Sequence, residues 1–152
     1  MGCQYSMELI SAEETKTNIF FPTGDILRSQ GTLNLEITPS YEGYYSQLVV
    51  TLPVKEYPPH IKKMIPIMEN VLRTSENILH PGTKVSDVNQ VILKMSHENG
   101  YLPLGERSGH GIGLDIIDFW AIAESETLEL KPGMTFVLHP GILAETDERV
   151  SL

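Results

Sequence analysis

Cysteine is almost absent: Cys3 stands alone among 152 residues. An internal disulfide is excluded, and so is any zinc cage built on cysteine thiolates. A reducing compartment such as the cytoplasm fits that usage. Positive charge is also scarce, with 11 Lys and Arg against 20 Asp and Glu and a net charge of -9. A phosphate backbone or an anionic bilayer would repel such a surface, so neither nucleic acid nor membrane is expected as a partner. No apolar run approaches the roughly 18 residues that a bilayer span requires. Residues 1–10 have no basic start and no sustained apolar stretch, and they do not read as a signal peptide. Internal repeats and low-complexity tracts are missing. What is present, 41% apolar and 20% charged residues, is a globular composition. The length suits a single domain over 1–152.

Periodicity marks four regions. Residues 1–21 carry only a weak pattern. From Thr32 to Leu52, Leu33, Leu35 and Ile37 alternate with Asn34, Glu36 and Thr38, and Leu48, Val50 and Leu52 alternate with Gln47, Val49 and Thr51. A hairpin turning near Pro39, Ser40, Glu42 and Gly43 would send both leucine-rich faces to one core and put Glu36 beside Gln47 on the opposite face. A helix then opens at Pro58-Pro59, and Ile61, Met64, Ile65, Met68, Val71, Leu72, Ile78 and Leu79 recur at its spacing. His80-Pro81-Gly82-Thr83 is a turn. A second helix, with Ser86 as N-cap and Gly100 at its left-handed end, carries Val88, Val91, Ile92 and Met95. Lys131-Pro132-Gly133-Met134 has the residues of a type II turn and leads into a strand over 134–139. Strands, then helices, then strands predict an α+β layer arrangement.

Three segments, in order, carry a family resemblance: the hairpin with Tyr41, Gly43 and Tyr44; Gly109-His110-Gly111-Ile112-Gly113-Leu114; and Leu130-Lys131-Pro132-Gly133-Met134 followed by His139-Pro140-Gly141. With the Pro81-Gly82-Thr83 connection they resemble the methionine aminopeptidase, prolidase and creatinase group, the "pita-bread" hydrolases. That resemblance implies a curved antiparallel sheet flanked by helices, and a chain apparently incomplete relative to the family. It also implies a two-metal site of two aspartates, one histidine and two glutamates. Here Glu36 and Gln47 stand at the aspartate positions, His110 at the histidine and His139 at the first glutamate, and the second glutamate would fall beyond Leu152. A further family histidine matches Ile117, its neighbouring acid matches Asp118, and an upstream substrate-contacting histidine falls near Asn18.

Two dications about 3.5–4 Å apart need more anionic oxygen than one carboxylate, one amide and two imidazoles supply, so a dinuclear centre is not expected. Three readings remain open. In the first, a metal-free hydrolase cleaves a C–N bond of a peptide or small amide or amidine. His110 or His139 acts as general acid and base, Glu36 orients a histidine or holds a cationic group, and Gln47, Asp118 and Tyr45 bind substrate. In the second, Glu36, His110 and His139 hold a single divalent metal. In the third, the cleft binds a peptide or protein without catalysis. Against these stand plainer roles: His139 opening a Pro-Gly turn, Glu36 solvated, Tyr41, Tyr44 and Tyr45 packing the hairpin, Met64 and Met68 in the core, and His60, His80 and His97 on the surface. Asp115, Asp118, Glu124 and Glu126 would be a solvated acidic stretch. An incomplete sheet edge makes a homodimer possible.

Overall fold

The computed structural model describes residues 4–11, 31–144 and 149–152. Among the described residues, ten antiparallel strands and two helices follow one another as β1 (Gln4–Ser11), β2 (Thr32–Tyr41), β3 (Tyr44–Tyr45), β4 (Leu48–Pro53), α1 (Pro59–Glu76), α2 (Val85–Glu98), β5 (Leu102–Pro103), β6 (Arg107–Gly111), β7 (Ala121–Ala123), β8 (Phe136–Leu138), β9 (Gly141–Leu143) and β10 (Arg149–Ser151). They pair in three groups: β2 with β1, β3 and β4; β9 between β5 and β10; and β6 between β7 and β8. The fold is α+β, and among the described residues no helix is long and apolar enough to cross a membrane. Asn18, the loose match for the upstream histidine, lies outside the described residues.

Helix α1 begins at Pro59, where a missing N–H costs nothing because the first turn has no acceptor for it. Ile61, Met64, Met68 and Val71 recur at steps of three and four and are buried. The helix ends at Glu76, ahead of Ile78 and Leu79, which still pack on the core. Helix α2 is capped differently from the expectation: Lys84, not Ser86, precedes its first turn. Its first amide needs no side-chain cap, because Val85 N donates to the Leu128 carbonyl and Lys84 bridges to Glu129. Gly100 takes the left-handed conformation (φ 79°) expected of it, and Gly133 does so in the turn closed by Met134 N and Lys131 O. The two helices meet Trp120, Ile122, Leu130, Ile142 and Val150 in one core. His60, His80 and His97 are exposed, as expected.

The hairpin β2–β4 pairs as its alternation predicts, with Leu35 opposite Val50 and Asn34 opposite Thr51, but it faces the other way. Thr32, Asn34, Thr38, Ser40 and Thr51 are the buried side chains, while Leu48 and Leu52 are 56% and 39% exposed. The polar face turns inward because its groups satisfy one another and the last strand. Thr51 Oγ1 donates to Asn34 Oδ1 (2.6 Å) and accepts from Ser151 N (2.9 Å). Tyr41 and Tyr44, expected as hairpin packing, stand at its tip about two-thirds exposed.

This inversion is directly measurable. Leu48→Ser should change the unfolding free energy by no more than about 0.5 kcal/mol. Thr51→Val should cost about 2 kcal/mol by leaving Asn34 Oδ1 and Ser151 N without their hydroxyl. Urea titration of both variants gives the answer, and the reverse ranking would restore the leucine face to the core.

Candidate functional site

Strand β6 is built from the glycine-rich segment that reads in sequence as a loop. Its glycines answer a lack of space and not a need for positive φ. A Cβ on Gly109 would run into the Val137 carbonyl of β8, and one on Gly111 into the Trp120 ring. The close approach of β6 to its neighbours places His110 opposite Val137 and brings its ring 5.2 Å from that of His139, at 63°. His110 is 1% exposed, with its walls supplied by other strands and not by its glycine neighbours.

Gln47 reaches this ring from the hairpin. Its Nε2 donates to Glu36 Oε1 at 2.6 Å, and its Oε1 lies 3.2 Å from His110 Nε2. On the far side of the ring, His110 Nδ1 lies 2.9 Å from the Gly111 carbonyl. A carbonyl only accepts, so Nδ1 carries the proton and a neutral ring presents the Nε2 lone pair to Gln47. Gln47 thereby links the Glu36 carboxyl to the His110 ring. Thr38, which the sequence pattern counted with the outer face, joins the cluster with Oγ1 3.4 Å from Gln47 Nε2. Its position two residues after Glu36 was the available signal.

Both histidines are held towards the neutral form. Burial lowers the pKa of His110, opposed by its bond to the Gly111 carbonyl. Burial, followed by the neighbouring His110, lowers that of His139 to about 4. The other two expected residues flank this pair. Asp118 N donates to the Gly111 carbonyl (2.9 Å), and Tyr45 N donates to the Gly113 carbonyl (2.8 Å). The Asp118 charge acts on His110 in the raising direction. Ile117, at the position matching a family histidine, is about half exposed.

Among the described residues no three His, Cys, Asp or Glu side chains are grouped to hold a metal ion. Between Glu36 and His110, two of the groups of the single-metal reading, lies the Gln47 amide. Its N–H occupies a carboxylate oxygen that a metal would need.

The profile of metallopeptidase family M24 matches residues 2–151. Among curated proteins, the chain is similar to the methionine aminopeptidase of Helicobacter pylori, 24% identical over 135 residues that cover 84% of this chain and 53% of that one. It is also similar to the Xaa-Pro dipeptidase of Lactobacillus delbrueckii subsp. lactis, 26% identical over 80% of this chain and 33% of that one. Among solved structures, a dipeptidase from Pyrococcus horikoshii superposes with a TM-score of 0.84 at 25% identity, over 96% of this chain and 41% of the other. The methionine aminopeptidase of Rickettsia prowazekii does so at 0.75 and 19%, over 99% and 66%. These neighbours have the pita-bread fold. The chain thus spans about half the length of the curated aminopeptidases it matches and about a third of the dipeptidase.

The depressed His139 pKa makes stability depend on pH in a defined window. As pH falls below the unfolded value of 6.5, the unfolded chain takes up the proton first, and the folded protein follows only near 4. Stability should fall across that interval by on the order of 3 kcal/mol and level off below it. Denaturant midpoints at pH 7 and 4.5 should show the drop, and His139→Gln should lose that part of the slope. An unchanged slope in the variant would contradict the buried neutral imidazole.

Proposed function

Because the chain belongs to metallopeptidase family M24, we propose that its cleft cleaves a C–N bond of a peptide or small amide or amidine substrate without a two-metal centre. The single observation that carries this reading is the Gln47 bridge, whose amide meets Glu36 and His110 at 2.6 and 3.2 Å where a metal would need free carboxylate and imidazole. His139, neutral at pH 7, takes the proton from the attacking water. Water oxygen bonds to the carbonyl or amidine carbon, the C–N bond breaks, and His139 delivers the proton it took to the leaving nitrogen, while His110, held at both ring nitrogens, stands against the His139 ring. Glu36, through Gln47, fixes the orientation of the His110 ring. Tyr45 and Asp118, tied to the same glycine-rich backbone, hold the substrate from either side. The single cysteine fits work in the cytoplasm, and the outward Leu48 and Leu52 support a homodimer.

A second reading, a peptide-binding domain without turnover, is favoured by the fact that both ends of the Gln47 amide are engaged internally and not offered to a ligand. Turnover separates the two. Protein purified without chelator should contain fewer than two metal ions per chain and hydrolyse Xaa-Pro or creatine-like substrates equally well with and without EDTA. His110→Ala should lower kcat/KM by about a hundredfold or more. Two bound ions, or complete loss with EDTA, would overturn the metal-free mechanism. Saturable peptide binding with no hydrolysis would select the second reading.

A further inference from the structure

Asn89 of α2 is 1% exposed and stands on the helix face that buries Val85, Val88 and Ile92. A leucine would serve that face as packing, and an amide is tolerated there only with its polar atoms paired. Its partners lie at an irregularity in the β6–β7 ladder. Arg107 stands opposite Ala123 and His110 opposite Ala121, so two residues of β6, Ser108 and Gly109, oppose one of β7, Ile122. That is a β-bulge, and a bulge re-aims the side chains beside it. A carbonyl only accepts and a backbone N–H only donates, so Asn89 turns its nitrogen to Ile122 O and its oxygen to Glu124 N, each at 3.2 Å. The same nitrogen donates to Ser108 Oγ at 2.9 Å. One side chain from α2 thus holds both strands at the bulge.

The bulge leads straight to the two histidines. Ser108 O accepts from His139 N at 2.9 Å, and His110 is the next residue of β6 after the bulged pair. The rings, 5.2 Å apart at 63°, are therefore both carried by backbone that the bulge sets. Register makes the point specific. Continued from Arg107 and Ala123 without the shift, the ladder would put Trp120 opposite His110, and a one-residue slip exchanges the faces of a strand. We propose that Asn89 is a positioning residue: its amide locks the β6–β7 bulge and so holds the His110 and His139 rings in their edge-to-face pair. Its effect on turnover rests on the hydrolase reading, whereas its effect on ring geometry does not.

The deciding measurement is the nuclear Overhauser cross-peak between the carbon-bound ring protons of His110 and His139 in isotope-labelled protein. Asn89→Leu puts methyl groups on the same branched frame and removes the amide. It should weaken that cross-peak by roughly half or more, and lower kcat on an Xaa-Pro substrate about tenfold with KM unchanged. A residue that only packed α2 would lower the urea midpoint and leave both the cross-peak and the kcat of the folded protein as they were. Should Asn89→Leu prove unfolded by circular dichroism, Ser108→Ala, which frees β6 from the Asn89 amide, is read in the same way. A ring–ring cross-peak of wild-type intensity in the folded variant overturns the proposal. A weakened cross-peak, in a protein whose wild type shows no turnover, supports the positioning role and removes the hydrolase reading.

Discussion

The amide of Gln47 ties the two halves of the site together. Glu36 comes from a hairpin and His110 from a strand 63 residues away along the chain from Gln47, and a single side chain spans the gap between them. For that contact to exist the hairpin must present its polar face inward, which sends Leu48 and Leu52 to solvent. It also requires β6 to lie flat against β8 and Trp120, and only glycine at 109 and 111 permits that approach. The inverted hairpin, the glycine pair and the buried histidine are therefore one constraint expressed at three places.

The bridge also fixes the electrostatic character of the cleft. The Glu36 carboxyl, the Gln47 amide, the His110 ring and the hydroxyl of Thr38 are linked by hydrogen bonds, and that linkage is what makes their burial tolerable. Protonating both rings would set two cations 5.2 Å apart in a poorly solvated space, and His110 accordingly lowers the readiness of His139 to charge.

Long-period features were legible in the sequence and short or inverted ones were not. Helix α1 follows from Ile61, Met64, Met68 and Val71, and the left-handed ends from Gly100 and Gly133, because local spacing and backbone freedom decide them. The proximity of Glu36 and Gln47 followed from hairpin parity alone. Which hairpin face is buried did not, because alternation gives two faces and only tertiary partners choose between them; here Ser151, a hundred residues from Thr51, makes the choice. Strand β6 was hidden by its glycines, and the cap of α2 by Leu128 and Glu129, whose contacts are set by the fold and not by neighbouring residues.

An inward polar face needs something to hold it in place, since hydrophobic burial alone would turn the leucines inward. Among the described residues, Asn34 Nδ2 is buried without a partner, a cost of about 1–3 kcal/mol that a sheet packed by its leucines would not carry. Opposing that cost are the Thr51 bonds to Asn34 and to the main-chain N–H of Ser151, and the Gln47 bonds to Glu36 and His110. Each is worth about a kilocalorie per mole, and more where a charge takes part. Those contacts run from the hairpin to β6 and β10, so the same bonds that assemble the cleft decide the hairpin's orientation. Loss of the site and loss of the fold are consequently coupled at this sheet, and the leucine face outside it takes no part in that coupling.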